Sequence, residues 1–132
     1  MRIFIDTSSL YALLDRTDEN HLKAKQEWNR ILDEDYILVA SNYILVETLG
    51  LLQSRIGMEA VRGFQEDLFP LIQIEFVTPK IHRLGTSALL SSSRRRLSFV
   101  DCVSFEVMRE TGIRKVFAFD PHFKEQGFEV VP

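Results

Sequence analysis

The chain has 132 residues, 45% hydrophobic and 27% charged, the balance of a soluble globular domain with enough apolar side chains to bury a core. A formal net charge of -3, from 16 Lys and Arg against 19 Asp and Glu, excludes a chain that attracts nucleic acid by gross charge alone. The single Cys102 excludes an internal disulfide, the apolar runs are too short to span a bilayer, and no signal-peptide pattern is visible, so one cytoplasmic domain is expected. In chain order, strand-like runs are predicted at Arg2–Ile5, Tyr36–Val39, Ile72–Val77, Lys115–Phe119 and Phe128–Val131. Helical spacing is predicted between them at Ser8–Leu14, Asn20–Leu32, Asn42–Arg55, Gly57–Leu68, Pro79–Ser91 and Ser98–Glu110. Asn42–Arg55, apolar for two turns, reads as a buried helix, and Gly112 as the residue that closes the last helix.

Strands alternating with helices indicate a parallel sheet flanked by helices. In such a sheet every strand ends at one edge, every following helix begins there, and ligands bind outside that edge. Two apolar runs, IFID at residues 3–6 and FAFD at residues 117–120, each stop on a carboxylate. Asp6 and Asp120 should therefore share the edge. Each acid also has an ordinary structural explanation. Asp6 suits a helix N-cap, Asp120 before Pro121 suits a turn, and Asp101, three residues after Ser98, suits a capping box.

Glu47 lacks such an explanation. It stands among Ile, Leu and Val in NYILVETLG, its helical neighbours are Tyr43, Gly50 and Leu51, and no Lys or Arg lies three or four residues away. A carboxylate facing a core is costly unless it is paired or bound to a metal. The topology brings Asp6, Glu47, Asp101 and Asp120 toward one place. Two carboxylates roughly 5 Å apart repel by about 3 kcal/mol at an effective dielectric near ~20, so several together call for a compensating cation. An all-oxygen donor set suits Mg2+ or Mn2+, and that combination suggests phosphoryl chemistry. No P-loop, nucleophile elbow or zinc-spaced histidine pair competes, and Cys102 reads as packing. A phosphatase with an aspartyl-phosphate intermediate would want a second acid where Ser8 stands. His21 and His122 read as packing or turn residues.

The stretches FIDTSSLYALLD, NYILVETLG, LSFVDCVSFEVMRETGI and VFAFDPHFKEQGF resemble the four motifs of PIN domains, most closely those of bacterial toxin ribonucleases of the VapC type. The resemblance runs in order over essentially the whole chain. It implies a three-layer α/β/α sandwich with a parallel sheet of strand order 3-2-1-4-5. It also implies a metal-dependent endoribonuclease in which Asp6, Glu47, Asp101 and Asp120 hold Mg2+ or Mn2+, with the Thr7 hydroxyl in support. A homodimer, an antitoxin partner and a structured RNA substrate such as transfer RNA are further implications. Pro121 departs from the basic residue that such proteins often carry after the last acid. The competing reading is a non-catalytic PIN-like module that binds RNA or protein, whose mark would be the loss of one or more acids; all four are present.

Arg94, Arg95 and Arg96, just before the helix bearing Asp101, are the candidate phosphate contacts, with a solvated loop as the alternative. FQEDLFPLI at residues 64–72, in a chain with 10 Phe, suggests apolar surface for a partner or a denser core.

Overall fold

The computed structural model describes residues 1–92 and 96–132. Among these residues five strands form one sheet: β1 (Arg2–Ile5), β2 (Ile37–Ser41), β3 (Ile72–Glu75), β4 (Lys115–Phe117) and β5 (Glu129–Val131). Every pairing is parallel and the order is β3-β2-β1-β4-β5, as expected. The helices α1 (Thr7–Leu14), α2 (His21–Asp33), α3 (Asn42–Arg55), α4 (Met58–Gly63), α5 (Pro79–Ser92), α6 (Phe99–Thr111) and α7 (His122–Glu125) complete a three-layer α/β/α sandwich. Central β1 is buried along Ile3, Phe4 and Ile5, the continuous apolar run that a parallel strand covered on both faces requires. Phe4 pairs with Val39 on one side and Val116 on the other, which puts the ends of β1 and β4 side by side. Among the described residues no helix is long and apolar enough to cross a membrane.

Several boundaries differ from the sequence reading, each for a local reason. The expected strand to Phe119 stops at Phe117, because the Phe119 N–H turns away to donate to Ser8 Oγ at 3.0 Å. The strand expected to reach Val77 stops at Glu75, and the Val77 N–H donates to Asn42 Oδ1 at 2.8 Å, tying the start of α3 to the end of β3. The helix expected over Gly57–Leu68 becomes α4, then a π-helical turn at Phe64–Leu68 and a 3-10 turn at Phe69–Leu71. Pro70 has no amide proton, so the regular ladder ends here. In that segment Phe64 and Leu68 point inward, leaving less apolar surface than FQEDLFPLI suggested. The helix α3 is not buried all round either: Ile44, Thr48 and Leu52 face the core while Val46 is 73% exposed.

The core is aromatic. Phe4, Phe64, Phe117 and Phe123 are fully buried, and Trp28 stacks on Phe117 with ring centroids 6.5 Å apart. The α5–α6 contact depends on Gly85, where an added Cβ would lie 2.6 Å from Val103 Cγ2 and 3.3 Å from the Val103 backbone. Gly112 closes α6 with φ 72, as its type predicts.

Candidate active site

A cavity of about 370 Å³ opens beside the carboxyl end of the sheet, and Asp6, Glu47, Asp101 and Asp120 all line it. Four different segments of the chain deliver them. Asp6 directly follows β1 and caps α1, with its Oδ2 accepting from the Ser8 N–H at 3.1 Å and from Ser8 Oγ at 2.6 Å. Because Ser8 Oγ also accepts from the Phe119 N–H, one hydroxyl fastens the end of β1 to the segment leaving β4. Asp101 sits in the first turn of α6 in a reciprocal capping box. Ser98 Oγ accepts the Asp101 N–H at 3.0 Å, and Asp101 Oδ2 accepts the Ser98 N–H at 3.3 Å. Asp120 opens the turn into α7, its Oδ1 accepting the His122 N–H at 2.8 Å. The capping and turn explanations are therefore correct, and they coexist with a shared cavity.

Glu47 is half-buried rather than core-facing, which corrects the sequence argument. The α3 helix begins at the sheet edge with Ser41 as its cap, so the stripe formed by Glu47, Leu51 and Arg55 looks into the cavity instead of the core.

Electrostatics record the crowding. Burial pushes the Asp6 carboxyl up to about 6; the Ser8 hydrogen bonds oppose that shift, and the Asp120 and Glu47 charges add to it. Burial likewise pushes Asp101 up to about 8, with the Asp120 and Asp6 charges adding. Asp101, Asp120 and His122 each offer a donor atom within 4.8 Å of the others'. His122 Nδ1 lies 2.9 Å from Asp120 Oδ1 and 3.5 Å from Asp101 Oδ2, yet it is buried without an aligned hydrogen bond. An orphaned nitrogen among converging carboxylates is a donor set that fits a divalent cation. Cys102 is buried, and burial raises its thiol, as a packing residue requires.

The family model for the PIN domain matches residues 3–129. The chain belongs to the PIN domain family, as a VapC-like member. Over 132 residues it is 37% identical to the "23S rRNA-specific endonuclease VapC20" of Mycobacterium tuberculosis, in both strain CDC 1551 / Oshkosh and strain ATCC 25618 / H37Rv, covering 98% of each chain. A crystal structure of M. tuberculosis VapC20, described as a sarcin-ricin loop cleaving toxin, superposes with a TM-score of 0.84 at 36% identity. That match covers 98% of this chain and 99% of the other.

Within this PIN fold several cavity residues escaped the sequence reading. Thr7, whose hydroxyl was expected to support the site, lines the cavity, donates toward the Ile44 carbonyl at 3.4 Å and accepts from Thr48 Oγ1 at 3.1 Å, while Ser8 holds Asp6. Arg55 lines the cavity with its guanidinium 5.6 Å from the Tyr11 ring centre, and its place eight residues after Glu47 was a usable helical signal. Asp18 and Asn20, between α1 and α2, also reach the rim. His21 is a turn residue whose Nδ1 meets the Ala12 carbonyl at 2.8 Å, and His122 is a buried residue of the turn that Asp120 opens, with its ring beside the acids. Of the three candidate arginines, Arg96 lines the cavity, and Arg94 and Arg95 lie outside the described residues.

Proposed function

We propose that this PIN protein is a metal-dependent endoribonuclease and the toxin of a toxin–antitoxin pair. The observation that carries the reading is the convergence of Asp6, Glu47, Asp101 and Asp120 on one cavity, in a chain this similar to a ribosomal RNA endonuclease. Asp6, Glu47, Asp101 and Asp120 would hold Mg2+ or Mn2+. When bound, such an ion supplies the positive charge that activates water and stabilises the phosphorane-like transition state of phosphodiester cleavage. Ser8 holds the Asp6 carboxylate, and Ser98 holds that of Asp101, so both are oriented before substrate arrives. Arg55 and Arg96, on the same cavity, offer cations to the phosphates flanking the scissile bond.

The relatives' names favour a stem-loop of large-subunit ribosomal RNA as substrate, with transfer RNA as the comparison. A homodimer and an antitoxin complete the reading, supported by apolar side chains left in solvent at Val46, Phe76 and Leu90. The test is cleavage of a labelled sarcin-ricin stem-loop and of transfer RNA in EDTA, Mg2+ or Mn2+, with Asp101→Asn purified in parallel. Cleavage that needs the metal and drops by ~100-fold or more in the variant is expected, the scale on which loss of transition-state charge stabilisation registers. Equal cleavage in EDTA, or by the variant, would refute it.

A further inference from the structure

His122 stands in the first turn of α7 and is 8% exposed. Its Nδ1 faces Asp120 Oδ1 at 2.9 Å and Asp101 Oδ2 at 3.5 Å. An imidazole whose task was to brace Asp120 would direct a ring N–H along the line to a carboxylate oxygen. Here the nitrogen is close but misaligned, and it is one of the buried side-chain polar atoms among the described residues without a hydrogen-bond partner. The bracing is done instead by the His122 backbone, whose N–H already meets Asp120 Oδ1 at 2.8 Å. The ring nitrogen stands next to two carboxylates, all three donor atoms within 4.8 Å, and in the neutral tautomer protonated at Nε2 it offers a cation-binding lone pair beside them. Buried polar atoms in folded proteins almost always have a partner, and a cation is the partner this donor set describes.

We propose, resting on the metal-dependent reading above, that His122 is itself a metal ligand and that its nitrogen tunes the site toward Mn2+ over Mg2+. Mg2+ takes oxygen donors and gives up its waters reluctantly, and a site that offers it only carboxylates does not discriminate strongly against it. Imidazole is a borderline donor that first-row transition ions accept and Mg2+ does not favour. Asp101 and Asp120 then supply charge, and His122 supplies selectivity.

The experiment is pulsed electron paramagnetic resonance of Mn2+ added to the intact wild-type protein, with calorimetric titration of Mn2+ and Mg2+ alongside. Modulation from a directly coordinated nitrogen is expected in the wild type and absent in His122→Asn. That variant should also bind Mn2+ roughly 10–100-fold more weakly, the scale on which losing one member of a metal site is felt, while Mg2+ affinity changes much less. The wild-type spectrum decides the question even if His122→Asn folds poorly, and His122→Asp provides a second variant that keeps a ligand of the oxygen type. Mn2+ bound without nitrogen modulation overturns the inference and leaves the metal-dependent reading intact. Absence of any Mn2+ binding overturns both.

Discussion

Asp6 and Asp101 are carboxyl groups raised by burial, to about 6 and about 8, from an ordinary value of 3.8. A carboxyl whose folded value is raised stabilises the fold fully below its unfolded value, and that stability is lost as pH climbs through the folded value. The metal-free protein should therefore lose thermal stability from about pH 4 upward, through about 6 for Asp6 and about 8 for Asp101. Asp6→Asn keeps an acceptor for Ser8 and removes the charge. In EDTA near neutral pH it should be more stable than wild type by on the order of 1–3 kcal/mol, though inactive. Mn2+ competes with the protons, so its stabilisation of wild type should grow with pH. Denaturation of both proteins from pH 5 to 8.5, with EDTA and with Mn2+, checks this; a wild-type advantage over Asp6→Asn in EDTA at pH 8 would contradict it. The acids were legible in the sequence for particular reasons. Asp6 and Asp120 each ended an apolar run, and Glu47 interrupted one. Ser8 was not legible, because its role exists only once β1 and β4 lie side by side. Nor was His122, because a backbone turn at Asp120 aims its ring, and a single turn leaves no periodic trace.

Helices and strands show where pattern succeeds and where it stops. The parallel order could be read because β1 to β5 are apolar runs separated by helical spacing, and chain connectivity allows few alternatives. Ends were misplaced where side chains capture the backbone, as Ser8 does at Phe119 and Asn42 at Val77. The close approach of α5 to α6 left its mark in one glycine that spacing alone did not single out. Two helical glycines provide a test. At Gly50 an added Cβ meets nothing within 4 Å, so Gly50→Ala should gain ~0.5–1 kcal/mol from helix propensity. At Gly85 the same Cβ meets the Val103 side chain and backbone. Overpacking of ~1–3 kcal/mol should outweigh the propensity gain there, making Gly85→Ala a net loss. Because α6 carries Asp101, relief of the clash by a shift of α6 would also move that carboxylate. Urea denaturation of the two variants checks the pair; equal effects would mean that α5 and α6 are not in close register at Gly85.

A molecule with a net charge of -3 does not draw RNA by its overall field, and its cavity presents five acids, Asp6, Asp18, Glu47, Asp101 and Asp120. In the proposed reading affinity for RNA must come from local cations, and on the described wall these are Arg55 and Arg96. A cation that meets a phosphate releases condensed counterions on binding, so each lost contact lowers the slope of log affinity against log salt by ~0.7–0.9. Arg55→Gln and Arg96→Gln, each placed in the Asp101→Asn background so that the proposed cleavage does not consume the probe, should weaken RNA binding and reduce the slope by about that amount. Neither residue is buried, so folding stability should change little. Titrations with a labelled stem-loop at several salt concentrations and constant divalent ion separate the two consequences. Weaker binding with an unchanged slope would mean that the arginine shapes the cavity, as the packing of Arg55 on Tyr11 allows, without touching the RNA backbone. A reduced slope for both would mean that both arginines meet the RNA backbone, Arg55 from the end of α3 and Arg96 from just ahead of α6.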